Sequence, residues 1–225
     1  QVLKDMLIEL KEHAIKVNKK WADKLGINQS TAITCVKPSG TVSQLVDSAS
    51  GIHPRYSPYY LRTVRADKKD PLCDMMLDKG FYGEDDVMKP HDTKVIYFPM
   101  KSPTSSIMRD AKSAIEQLEI WKTYQLHWCE HKPSITVYVK EEEWLQVGAW
   151  VYENFDVMSG VSFLPHSEHS YKQAPYQEVD KNTYEEWLAK TPKNINWMDL
   201  TNYEKEDTTT SSKELACTAG ACEII

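Results

Sequence analysis

Val2, Met6, Leu10, Ala14, Val17, Trp21 and Leu25 recur at steps of three or four, with lysine and glutamate between them. One apolar stripe at that period predicts an amphipathic helix ending near Gly26. The period then shortens. Thr31 to Val36 reads as a short buried strand, Lys37-Pro38-Ser39-Gly40 as a turn, and Thr41 to Val46 as the opening of a short helix. Tyr60 to Arg65, Thr93 to Pro99, Ser134 to Val139 and Gly160 to Pro165 are rich in β-branched and aromatic residues and predict further strands. Between them, Pro71 to Leu77, Ala111 to Gln125 and Trp144 to Phe155 carry helical spacing. Strands alternating with helices predict an α/β chain with crossover connections. The strands lack a clean polar–apolar alternation, which fits burial on both faces. Beyond about residue 166 the chain turns to Tyr, Lys and Glu, with a short helix near Tyr184 to Leu188. Residues 204–216, EKEDTTTSSKELA, are polar and weakly ordering by composition.

Composition sets bounds on this picture. The 225 residues are 41% hydrophobic, enough for a sizeable core. The formal charge of −6 argues against a polymeric nucleic-acid partner. No apolar run is long enough to span a bilayer, and the N-terminus lacks a signal-peptide apolar stretch. Five scattered cysteines do not make a secreted disulfide framework, so a reducing, cytoplasmic setting is expected. The chain starts at Gln1, already inside a helical pattern. That fits either a piece of a longer polypeptide or a processed N-terminus.

Several stretches could carry chemistry. Pro38-Ser39-Gly40-Thr41-Val42-Ser43 joins a strand to a helix start, with Thr41 and Gln44 spaced as a capping box. Amides at Gly40 to Ser43, hydroxyls on Ser39, Thr41 and Ser43, and the charge of Lys37 could cradle a phosphate. A plain capped loop is the alternative, since neither a Walker A loop nor a dinucleotide-binding glycine pattern is present. Cys217 and Cys222, separated by Thr-Ala-Gly-Ala, could form a disulfide and swing to a partner, or be bystanders on a tail. Cys35 and Cys73 read as core residues. Cys129, in His127-Trp128-Cys129-Glu130-His131, reads as packing ahead of a metal or Cys–His site. The run from His53 to Arg65 interleaves arginine with aromatic rings and reads as bracing near a site, with nucleotide contact second. His166, Glu168 and His169 follow a strand end and could bind a metal by type, or form a solvated loop.

Taken together, AITCVKPSGTVSQLVDSASGIHPRYSPYYLRTVRA, KPSITVYVKEEEWLQVGAWVYENFDVMSGVSFLP, YKQAPYQEV and KELACTAGACE make the chain resemble the C-terminal part of an adenosylcobalamin-dependent ribonucleotide reductase of class II. The resemblance is to the monomeric type that acts on ribonucleoside triphosphates. It implies a ten-stranded α/β barrel built from two half-barrels around a finger loop. Residues 1–203 would then supply the last strands and helices of that barrel, and 204–225 a flexible tail. The resemblance also implies that the loop matching Pro38, Ser39, Gly40, Thr41, Val42 and Ser43 holds the substrate phosphates. It implies that Gly160 to Pro165 is the last barrel strand, and that Arg55 to Arg65 follows the phosphate loop. Cys217 and Cys222 match the shuttle dithiol that re-reduces the active-site disulfide and is itself reduced by thioredoxin. In such enzymes adenosylcobalamin homolysis produces a thiyl radical that abstracts the 3′ hydrogen of the ribonucleotide, and the 2′ hydroxyl leaves as water.

One departure bears on activity. The radical cysteine of the family lies in an N-x-C-x-E type motif, and this chain has none. The upstream member of the reducing cysteine pair, the effector region and much of the cobalamin site are also absent from it. The 225 residues alone are therefore expected to be inactive, and to need the N-terminal part of the reductase, in cis or in trans. Three rival readings stand beside this one. They are a non-catalytic interaction module derived from the reductase, a free-standing nucleotide-binding protein, and a redox adaptor using only Cys217 and Cys222.

Overall fold

A computed structural model describes residues 1–40, 42–166 and 171–205. In chain order the elements are α1 (Val2–Leu25), α2 (Val42–Leu45), β1 (Tyr59–Asp67), α3 (Pro71–Asp78), β2 (Gly83–Asp85), β3 (Thr93–Lys101), α4 (Ala114–His127), β4 (Ile135–Val139), α5 (Trp144–Glu153), β5 (Val161–Pro165), β6 (Tyr176–Glu178) and α6 (Lys181–Lys190). The chain divides into two compact units, Gln1–Tyr56 with Ser102–Glu168, and Ser57–Lys101 with His169–Ile225. No helix among the described residues is long and apolar enough to cross a membrane.

The first unit is built on β4, α5 and β5, with β4 and β5 paired in parallel from Ile135↔Val161 to Val139↔Pro165. This is the crossover connection that the alternating pattern predicts. Ile135, Val137 and Val139 point one way from β4 and are buried. They meet Ala114, Leu118 and Trp121, which share one face of α4, and Val147 and Trp150 of α5. The Trp121 ring is fully enclosed, and its indole N–H donates to the carbonyl of Pro133 at 3.0 Å. The α4 helix begins where Ser113 and Glu116 form a reciprocal capping box. That box explains why the helix starts three residues after Ala111, the first residue of its apolar spacing. The α1 helix ends at Gly26, whose φ of 67° places it in the left-handed region that closes helices.

The second unit is a four-stranded sheet in the order β2-β3-β1-β6, antiparallel throughout. β1 and β3 pair over nine residues, from Tyr59↔Lys101 to Asp67↔Thr93. Both faces are covered. Val95 and Tyr97 join Leu61 and the α6 residue Trp187, while Ile96 joins Cys73 and Met76 of α3. Burial on both faces is what the run TKVIYFP predicts, but the pairing is antiparallel rather than parallel. Pro71 occupies the first turn of α3, and the Asp70 carboxylate caps it by accepting from the Leu72 amide at 2.9 Å.

Two expectations change. Thr31 to Val36 is not a strand. The segment is extended, but its hydrogen bonds go to side chains and carbonyls near Glu130 instead of to a ladder. The described strands form one sheet of four and one of two, and among the described residues no sheet closes into a barrel. The fold shown is mixed α/β with one parallel and one antiparallel sheet.

Candidate functional site

The turn from Pro38 to Ser43 is held by its own serines. The Ser39 hydroxyl accepts from the Ser43 amide at 3.0 Å, and the Ser43 hydroxyl donates to the Ser39 carbonyl at 3.2 Å. The Ser39 amide donates to the Ser50 hydroxyl at 2.7 Å. Two of the amides near the proposed cradle are thus already engaged within the protein. Pro38, Gly40 and Val42 are exposed, Ser39 is half-buried and Ser43 is buried. Thr41, and with it the proposed capping box, lies outside the described residues. A Cβ added at Gly40 would meet nothing within 4 Å, so the space beside this backbone is open.

The segment after the turn is braced from three sides. Gly51 has a φ of +61°, and a Cβ there would lie 3.1 Å from Val36 Cγ1 and 3.2 Å from the Lys37 carbonyl oxygen. Only glycine gives both that dihedral and that close approach at low cost. The buried Arg55 sends one guanidinium nitrogen to the Ser48 carbonyl at 2.5 Å and another to Asp47 Oδ1 at 2.9 Å. Its Nε donates to the Ser102 hydroxyl at 3.3 Å. Its backbone N–H donates to the Ile107 carbonyl, and its own carbonyl accepts from the Arg109 amide. His53 supplies the third brace. Its Nε2 accepts from the Thr136 amide on β4 at 3.0 Å, so Nδ1 carries the proton and donates to the Ser50 carbonyl at 2.7 Å. This tautomer ties the loop to the edge of β4. A cavity of about 360 Å³ lies beside these braces, lined by Gly51, Ile52, His53, Arg55, Lys112 and Gln117 among others.

The lead into the turn is anchored to the end of α4. The Glu130 carboxylate accepts from the amides of Ile33 and Thr34 at 2.5 and 2.9 Å. These two amides, Ile33 first, hold its carboxyl below the usual carboxylate range. The Thr34 hydroxyl donates to the Trp128 carbonyl, and the Trp128 indole N–H donates to the Cys35 carbonyl at 3.2 Å. Cys35 and Cys129 are both half-buried here, whereas Cys73 is fully enclosed in the core as its sequence context predicts. Burial is the main cause that pushes the Cys129 thiol up.

The remaining sequence candidates fall as follows. Arg55 braces the loop, in keeping with the bracing expected of the His53 to Arg65 run. Arg62 stacks over the Tyr176 ring, and Arg65 pairs with Asp86 at 2.7 Å. His166 follows β5 and its Nε2 lies 2.5 Å from Asp110 Oδ1. Glu168, His169, Cys217 and Cys222 lie outside the described residues. Among the described residues, no group of three or more His, Cys, Asp or Glu could hold a metal ion. The bracing expected of the His53 to Arg65 run holds for His53 as well, whereas sequence reasoning missed Gly51 and Glu130 as positioning residues. The Gly-Ile-His-Pro string was the one available signal, through a glycine just after the turn; nothing near Glu130 marks its distant amide partners.

Comparison with known proteins gives the same direction. No protein-family model matches the chain. It is 27% identical over 228 residues to the adenosylcobalamin-dependent ribonucleoside-triphosphate reductase of Lactobacillus acidophilus, covering 98% of this chain and 30% of that protein. It is 29% identical to the probable adenosylcobalamin-dependent ribonucleoside-triphosphate reductase of Dictyostelium discoideum, covering 99% of this chain and 29% of that protein. It is 31% identical to the Euglena gracilis enzyme over 76% of this chain and 24% of that protein. A crystal structure of a B12-dependent class II ribonucleotide reductase superposes with a TM-score of 0.74 at 26% identity, over 92% of this chain and 29% of that one. The chain thus spans about 30% of the length of the curated relatives it matches. As the sequence resemblance implied, it matches the C-terminal fraction of adenosylcobalamin-dependent ribonucleoside-triphosphate reductases along nearly its whole length.

Proposed function

We propose that this chain is the part of a class II ribonucleotide reductase that presents the substrate-phosphate loop and the thioredoxin-linked dithiol. The complete enzyme would convert ribonucleoside triphosphates to deoxyribonucleoside triphosphates. One observation supports the reading: a chain similar to these reductases along nearly all of its own length carries a turn, Pro38 to Ser43, that is braced from behind and open beside Gly40. In this role the Ser39–Ser43 bonds set the shape of the turn, and Arg55 and Gly51 keep it from collapsing. The exposed backbone near Gly40 and Val42 would then meet the negative end of the substrate. Cys217 and Cys222 would carry electrons by disulfide exchange.

Adenosylcobalamin, when bound to the complete enzyme, would supply the radical. No residue of this chain is assigned to it. Completion by the N-terminal part, in cis or in trans, is part of the proposal.

The test is calorimetric titration of the chain with a ribonucleoside triphosphate and Mg²⁺, with a Gly40→Val variant beside it. Open space at Gly40 means the variant should fold, and its binding should fall by about tenfold or more as the side chain fills the approach. Equal binding by both proteins would remove the phosphate role. Alone with adenosylcobalamin, substrate and a dithiol, the chain should yield no deoxynucleotide.

A further inference from the structure

Cys35 and Cys129 are far apart in sequence and adjacent in the fold. The backbone around them is stitched on both sides. The Glu130 amide donates to the Thr34 carbonyl at 2.8 Å, and the Thr34 amide donates back to the Glu130 carboxylate at 2.9 Å. The Thr34 hydroxyl reaches the Trp128 carbonyl, and the Trp128 ring reaches the Cys35 carbonyl. These bonds set Cys35 and Cys129 side by side, with the Cys35 thiol donating to the Val36 carbonyl at 3.5 Å. Both residues are half-buried.

We infer that Cys35 and Cys129 form a reversible disulfide when the protein meets hydrogen peroxide. The site is separate from the proposed Cys217–Cys222 shuttle. In the first step the Cys35 thiolate attacks one peroxide oxygen. The S–O bond forms, the O–O bond breaks, and the departing hydroxide takes up the thiol proton to leave as water. In the second step the Cys129 sulfur attacks the sulfenic acid. The S–S bond forms, the S–O bond breaks, and the second water carries away the Cys129 proton. Two thiols and one peroxide become one disulfide and two waters, and an external dithiol reverses the change. The consequence is mechanical. The bond would clamp the lead into the Pro38 to Ser43 turn onto the end of α4, where five hydrogen bonds already hold it.

The experiment uses the full chain carrying C217S and C222S, so that the tail cannot supply the signal. The folded protein is treated with hydrogen peroxide, quenched with iodoacetamide, and digested without reductant for mass spectrometry. The expected result is a Cys35–Cys129 linked peptide pair, loss of both alkylated forms, and full recovery of both after dithiothreitol. The same protein unfolded in guanidinium before oxidation should give mixed links that include Cys73. Replacing Cys35 by Ser should abolish the linked pair. The inference is overturned if the folded protein keeps both thiols alkylatable, or if the link joins two chains or involves Cys73.

Discussion

The unit built from residues 1–56 and 102–168 and the unit built from residues 57–101 and 171–205 stabilise their strands by different means. In the first, a parallel pair of five-residue strands is buried on one side by α4 and α5, and the edge of β4 is closed by the His53 ring. In the second, nine-residue antiparallel strands are covered on both faces, and their polar groups pair within the sheet. Tyr97 donates to Glu84 at 2.7 Å, Glu84 also accepts from Gln173, and Asp85 takes both Lys68 and Lys94. The difference teaches where variation is tolerated. The second unit has the more extensively paired of the two sheets. The first leaves Leu45, Leu145 and Tyr152 more than four-fifths exposed and carries the braced loop.

The sharpest way to separate the two units is to empty the core of one. Trp121→Ala removes a fully enclosed ring and should cost about 3–5 kcal/mol. Hydrogen exchange should show amides of α4 and β4 losing protection while those of β1 and β3 keep theirs. Equal loss in both would mean that the units unfold as one body.

A pH change addresses the other unit. Burial first, and then the hydrogen-bonded Glu84, push the Tyr97 hydroxyl up to about 12 from 10.0. Above the unfolded value the unfolded state has lost this proton while the folded state keeps it, so stability falls as pH rises from about 10 toward about 12. The loss should reach on the order of 2–3 kcal/mol. Denaturant titrations of the wild type and Tyr97→Phe across that window check it: the phenylalanine variant should lose this part of the slope.

The smallest expected effect lies at the loop. Gly51→Ala places a side chain at positive φ against Val36 and the Lys37 carbonyl, and should cost about 1–2 kcal/mol. Melting of the purified variant measures that cost, and the triphosphate titration should show weaker binding from a displaced turn. A melting temperature equal to wild type would show that the loop relaxes freely, and that its bracing is looser than the contacts imply.

How far these features could be read beforehand depends on the range of the forces involved. The α1 stripe, the α4 stripe and the TKVIYFP run were legible because local spacing and side-chain shape set helix or strand. Strand direction was not: β1 and β3 look the same in sequence whether their partner runs parallel or antiparallel. The three-residue strands β2 and β6 were not legible either, since their neighbours rather than their composition make them strands. Thr31 to Val36 has the residues of a strand, yet the Glu130 carboxylate captured the amides that a ladder would have used. The turn at Pro38 to Ser43 could be found from its residue types. Its braces could not, because Arg55 reads as one of several arginines until Asp47 and Ser48 meet it.

Local order, the likeness to the reductases and the residues of the turn were all present in the chain as a string, because each depends on neighbours a few positions away. Pairing direction, the tautomer of His53, the need for glycine at position 51 and the approach of the Cys35 backbone to the end of α4 arose only on folding. Each of these joins groups distant in sequence, and no local pattern encodes which distant group will arrive.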